Sequence, residues 1–255
     1  MARSALTHKR RTGRTFVCLW LLAALGLVAA GCGSVPYRAG TPLVDEALAR
    51  ELRQSLEAMY PAGFRAVHRV VLSVKGRQFA FTGYLLGGPP GHLRLLASSD
   101  VGAAVFEVIR RADGGSRVVR AAPGRAVARL QANAARDAAR ICFERPTPVA
   151  QLVKHGRETV GLTDGRIAGN PQSDGSLREF LFDAARHRLV GYLEARGSRV
   201  VYEIAFSDDG PVPGWPRPVP RRIAIADREE GYQADIRVLE LRAAAPAADA
   251  FKTED

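Results

Sequence analysis

The most apolar stretch of the chain comes first. Phe16 to Ala30 carries no charge, and the positions before it are basic: Arg3, Lys9, Arg10, Arg11 and Arg14, with no acidic residue among them. The run is too short for a permanent bilayer-spanning helix, which needs about 20 residues. A basic flank followed by a short apolar core is the layout of a cleavable export signal. After Gly40 the pattern changes: Leu48, Leu52 and Leu56 recur at four-residue spacing, with Val44 and Met59 extending the stripe. Thr41-Pro42 in front suits an N-cap and first helical position. The spacing predicts an amphipathic helix ending near Tyr60-Pro61.

From Phe64 the period becomes two. Segments 67–74 and 78–86 are rich in β-branched and aromatic residues and flank Lys75-Gly76-Arg77, which reads as a hairpin. Further strands are expected near 92–97, 104–110 and 116–120. A second set runs Leu177–Asp183, Leu189–Ala195, Arg199–Ser207, Arg221–Asp227 and Tyr232–Leu241. Alternation is clear in Val200, Tyr202, Ile204 and Phe206 and again in Tyr232, Ala234, Ile236 and Val238, so one face of the sheet is apolar. Between the two sets, 125–141 has a helical period. Arg125, Arg129, Arg136 and Arg140 share one face; Val127, Leu130, Ala134, Ala138 and Ile141 share the opposite one. Such a helix can cover an open apolar sheet while turning its arginines to solvent or to phosphates. Segment 144–176, with Pro146, Pro148 and a polar, glycine-rich stretch, follows neither period.

The expected fold is mainly β with helices (α+β). A sheet of about ten antiparallel strands curls strongly, which gives a half-open β-barrel with helices covering its concave side. The candidate lining of that side is Phe79, Phe81, Leu93, Leu95, Phe106, Phe180, Phe182, Tyr202, Ile204 and Phe206. In a closed barrel these residues are core; in a half-open one they form a pocket for acyl chains.

Charge and cysteines narrow the picture. Of the 37 basic residues five belong to the leader, so the remainder carries 32 against 26 acidic ones, a formal +6 rather than +11. Most are arginine in an alanine-rich chain, a compositional bias, and no stretch looks like a nucleic-acid motif. The charge favours contact with anionic head groups. Cys18 falls in the leader and Cys32 ends the small-residue run Ala29-Ala30-Gly31. Cys142, between Ile141 and Phe143, is left without a partner for a disulfide and reads as a buried thiol. His68, His92, His155 and His187 show no metal-ligand spacing, no Gly-x-Ser-x-Gly elbow is present, and Gly87-Gly88-Pro89-Pro90-Gly91 has prolines where a phosphate loop needs backbone donors. Neither a metal, a cofactor nor a catalytic group is expected.

Ala29-Ala30-Gly31-Cys32 resembles the lipobox of bacterial lipoproteins, which implies cleavage before Cys32 and lipid on its thiol. Gly33-Ser34 lacks the aspartate that retains many such proteins at the inner membrane, which implies the outer one. The order helix, strands, helix, strands is similar to the LolA and LolB family of lipoprotein carriers and outer-membrane receptors, nearer LolB because of the anchor, or to a sibling family of lipoproteins with that fold. Leu93–Gly102 followed by Ala104–Val108 resembles that family's strand, glycine loop and strand. Val219–Asp227 leading into Tyr232–Leu241 resembles its closing hairpin. The resemblance implies lipid or lipoprotein cargo, a periplasmic carrier as partner, and a transfer role for Val101, at the place of an outward leucine. The domain plan is then signal 1–31, lipidated tether 32–40, LolA/LolB-like domain 41–243 and C-terminal tail 244–255. Two other function classes stand beside the lipid-binding one: a packed-barrel adaptor in envelope assembly, and an envelope hydrolase, which the empty inventory of catalytic motifs disfavours.

Overall fold

The computed structural model describes residues 35–57, 59–60, 63–88, 91–165, 176–247 and 249–252. The expected leader and Cys32 lie outside them. The order is β1 (Thr41–Pro42), α1 (Glu46–Glu57), β2 (Phe64–Val74), β3 (Arg77–Gly88), β4 (His92–Ser98), β5 (Ala104–Arg110), β6 (Ser116–Ala121) and α2 (Arg125–Phe143). Then come β7 (Gln151–His155), β8 (Thr159–Gly165), β9 (Ser176–Asp183), β10 (Arg188–Arg196), β11 (Arg199–Gly210), β12 (Val219–Asp227) and β13 (Tyr232–Ala243). All of them fall in one unit, Pro36–Asp255, which contains its own continuous apolar core. Among the described residues no helix is long and apolar enough to cross a membrane.

The strands form one antiparallel sheet of thirteen, in the order β1-β7-β8-β9-β10-β11-β12-β13-β2-β3-β4-β5-β6. The expected count of about ten is therefore corrected upward. β7 and β8 come from the segment that showed no period; both are short, and β8 is interrupted by Gly161 and Asp164. Thr41-Pro42 is also corrected: it pairs with Val153 and Lys154 as an edge strand. The cap of α1 is Asp45, whose carboxylate accepts the Leu48 amide at 2.9 Å.

Both helices pack on one face of the sheet, here the inner face. α1 buries Ala49, Leu52 and Leu56 against β10. The 19 residues of α2 make a helix about 28 Å long. That helix packs on β4, β5 and β6, while side chains of β9 to β13 also reach it. β6 and β9 stand nine strand spacings apart, about 43 Å along a flat sheet. One helix contacts both because the sheet curls around it. The edges, β1 and β6, do not pair, so the curl stays open.

The expected tether is in part a docked strap on the outer face. Pro36 bridges to Arg199, the Tyr37 amide donates to Ser198 O at 2.8 Å, and Gly40 lies against the His155 ring. Under this strap Glu179 is 0% exposed. Its carboxylate accepts from Thr163 Oγ1 at 2.9 Å and Tyr37 Oη at 3.2 Å, and His155 Nε2 lies 2.6 Å away. Gly161 makes room, since a Cβ there would come within 2.2 Å of the same carboxylate. At the other terminus the tail is docked too: Ala250 O accepts from Arg94, and Phe251 packs on His92.

The hydrogen bond to Glu179 raises the His155 pKa above its ordinary 6.5, against the opposing effect of burial. A raised histidine contributes stability in full below its unfolded value and loses it as pH rises through the folded one. The stability gap between wild type and His155→Gln should therefore be widest below about pH 6.5 and shrink above it. Denaturant midpoints across that range check this; a gap that widens with pH contradicts it.

Candidate functional site

The inner face has two chemically distinct parts, and α2 lies over both. Toward β2–β5 it is apolar. Register places Val70 opposite Phe81, Leu85 opposite Leu95, Ala97 opposite Phe106, and Leu95 opposite Val108. Ala135, Ala138, Ile141 and Cys142 of α2 are buried in the same core, with Val127, Leu130 and Ala134 packed at its margin. Burial pushes the Cys142 thiol up to about 12, which leaves it protonated and unreactive.

Toward β8–β13 a single cross-strand row is polar. Asp164, Arg178, Glu194, Tyr202, Asp227 and Tyr232 stand opposite one another in succession across β8, β9, β10, β11, β12 and β13. The side chains of α2 and its C-cap lie along this rung. Arg136 donates to Asp227 at 2.6 Å and to Tyr232 Oη at 2.9 Å. Asp137 accepts from Tyr202 Oη at 2.9 Å and from Tyr232 Oη. Arg140 pairs with Glu194 at 2.6 Å and stacks 4.1 Å from the centre of the Tyr202 ring. Glu144 meets Arg178 at 2.5 Å, and Asp164 accepts from the Thr147 amide and hydroxyl. The spacing explains the fit. From position 136 to 144 the helix advances about 12 Å, close to the roughly 14 Å that three strand spacings put between β12 and β9.

Electrostatics follow from burial. Burial raises the Asp137 carboxyl, against the pull of Tyr232, Arg136 and Tyr202. Burial, reinforced by Asp137, pushes both tyrosine hydroxyls well above their ordinary value. For Arg136, burial works against the charge, but Asp137, Tyr232 and Asp227 together raise its pKa. The rung is thus a satisfied ionic network between helix and sheet.

Nine of the ten residues expected to line the concave side are buried on it: Phe81, Leu93, Leu95, Phe106, Phe180, Phe182, Tyr202, Ile204 and Phe206. Phe79 is a correction. It shares their side of the sheet, opposite Leu72, yet is 49% exposed: pairing with β4 begins only at Thr82, so no β4 residue stands beside it. The basic helix face is a second correction. Arg136 and Arg140 turn to the rung rather than to solvent or phosphates, and Arg129 pairs with Glu230 at the rim. The Arg125 side chain lies outside the described residues. Val101 is 90% exposed in the β4–β5 turn. Among the described residues no group of His, Cys, Asp and Glu could hold a metal. Sequence reasoning missed Glu194 and Asp227. Their signal was an acid at an inward position of each strand, two residues from Tyr192 and from Ile225.

A curled, open antiparallel sheet with a helix laid across its inner face defines a LolA-like fold. No family model and no curated protein sequence matches the chain. Among solved structures, it is similar to a LolA superfamily protein from Nitrosomonas europaea, with TM-score 0.53, 10% identity, and cover of 81% of this chain and 97% of that one. A DUF1329 family protein from Desulfovibrio piger gives 0.44 at 11% identity, covering 82% and 98%. A domain from Vibrio parahaemolyticus described as outer membrane lipoprotein-sorting gives 0.42 at 10% identity, covering 79% and 95%. At such identities the likeness is one of fold.

Asp137→Ala removes the shared acceptor of two buried tyrosines and a partner of Arg136. It should destabilise the domain by about 3 kcal/mol, read by urea unfolding, whereas Arg129→Ala at the exposed rim should leave the midpoint in place. Equal midpoints for the two variants would contradict the assignment of the rung.

Proposed function

We propose that this protein is a membrane-anchored, non-catalytic binder of acyl chains. It takes up a lipid, or the acyl chains of a lipoprotein, between α2 and the apolar inner face, for transfer or insertion at the outer membrane. Cys32 is the anchor, and Val101 on its exposed turn is the contact with the acceptor bilayer. A periplasmic carrier of the same fold is the natural donor.

One observation carries this reading: α2 is held to β9–β13 by ion pairs and hydrogen bonds. A polar seam exchanges its partners for water when it opens, so its net contribution is small beside that of buried apolar area. Acyl chains supply about 0.8 kcal/mol per buried methylene, so a sixteen-carbon chain offers on the order of 10 kcal/mol. Reversing a two-state equilibrium from about 1:99 to 99:1 takes roughly 5.5 kcal/mol. Cargo can therefore drive the helix off the face it covers. The exposed Phe79 ring continues that face beyond the point where β4 pairing ends.

The second reading is a packed-barrel adaptor in envelope assembly, and the burial of nine of ten lining residues in a continuous core favours it. Native mass spectrometry of Pro36–Asp255 purified gently from a bacterial host separates the two. Lipid or acyl mass that co-purifies and is lost on extraction is the expected result, with Leu95→Asp or Phe106→Asp abolishing it in folded protein. A wild-type domain that stays empty when offered fatty acids and lipopeptides selects the adaptor.

A further inference from the structure

His68 stands on the inner face of β2 in the middle of the apolar part. The row it belongs to reads Val238, His68, Gly83, Ala97, Phe106 across β13, β2, β3, β4 and β5. The rows on either side contain Val70 and Phe81, and Ala66, Leu85, Leu95 and Val108. His68 is 4% exposed, and its Nε2 is buried without a hydrogen-bond partner. Six residues along β2 from Val74, which faces Tyr232, it lies about 20 Å from the polar rung and out of reach of those groups. Leaving a buried donor or acceptor unmade is costly, so an unpaired ring nitrogen in an apolar core calls for an explanation.

The surroundings show where a partner would come from. Gly83, directly opposite, places no side chain beside the imidazole. A Cβ built there would meet Leu85, Leu95 and His68 at 3.8 to 3.9 Å, ordinary contact, so the position would admit a methyl group that glycine does not supply. Ala97 is next in the row, and α2 packs on β4 and β5 with the short side chains Ala135 and Ala138 buried. Burial lowers the His68 pKa to about 4, so the ring is neutral at physiological pH and offers one N–H rather than a charge. An apolar face with one neutral donor is suited to a ligand that is mostly hydrocarbon with one acceptor.

We propose that His68 is the polar contact for cargo: its Nε2–H donates to the ester or amide carbonyl of a bound acyl chain. This rests on the acyl-binding reading above and adds a chemical preference to it. An aliphatic chain lacking a carbonyl would fill the same volume but leave Nε2 unpaired.

The test compares 1-palmitoylglycerol with 1-O-hexadecylglycerol, an ester and an ether of matched length and head group, binding to Pro36–Asp255. Wild type should prefer the ester about tenfold, and the His68 Nε2 resonance in ¹⁵N NMR should move with the ester alone. His68→Leu should keep ether affinity and lose the preference, while His68→Gln, which retains an N–H donor, should keep part of it. A wild type that binds both probes equally, or an unmoved Nε2 resonance, overturns the role of His68 and leaves acyl binding standing. A preference that survives in His68→Leu does the same. A folded wild type that binds neither probe overturns both readings together.

Discussion

Asp137 sits on the underside of α2 with its carboxylate engaged by two tyrosines that come from different strands, Tyr202 of β11 and Tyr232 of β13. Asp227, between them in the same row, takes Arg136 from the adjacent helix position. This cluster fixes the rotation and the height of α2 over the sheet. Once these are set, Arg140 meets Glu194 and the C-cap Glu144 meets Arg178, because the rise of the helix from 136 to 144 nearly equals the span from β12 to β9. The opposite side of the helix is then committed to the apolar rows of β4 and β5, and the sheet has to curl for both contacts to be made. A polar row of six strands thus determines where the hydrophobic face is covered.

Much of this fold was legible in the sequence wherever one face of an element alone is buried. β11 and β13 announce themselves through Val200-Tyr202-Ile204-Phe206 and Tyr232-Ala234-Ile236-Val238, because period-two alternation is what a half-buried strand demands. β7 and β8 did not. They are short, follow Pro146 and Pro148, and include Gly161, retained for close approach to Glu179, so no alternation develops. Thr41-Pro42 carried a good local signal for a helix start, yet pairing with β7 prevails, and Asp45 three residues later supplies the cap. A lone proline on an edge strand costs no ladder hydrogen bond on its open side, so the sheet tolerates it there.

The site was half legible. The helical wheel separated the arginine face from the apolar face correctly, but a wheel does not reveal what lies across from either. Arg136 and Arg140 look solvent-bound in isolation; their partners are Asp227 and Glu194, far away in sequence, brought close by strand register. The inward acids of β10 and β12 were the clue, since a carboxylate on a buried face needs a counter-charge from another element. His68, weighed only as a metal ligand, carries no further signal in the sequence for the opposite reason: a lone histidine in a strand is usually surface or satisfied core. Its interest comes from Gly83 across the ladder and an unpaired ring nitrogen, both visible in three dimensions alone.

The central claim is that α2 is a cover that can leave its seat without unfolding the sheet. Native-state hydrogen exchange on Pro36–Asp255, comparing wild type with the Tyr202→Phe, Tyr232→Phe double variant, tests it directly. The account predicts that α2 amides exchange through a sub-global opening, well below the free energy of β2, β3 and β13. The double variant should accelerate exchange in α2 while sheet protection holds. Exchange of α2 through global unfolding alone, or an equal loss of protection in helix and sheet, would contradict it.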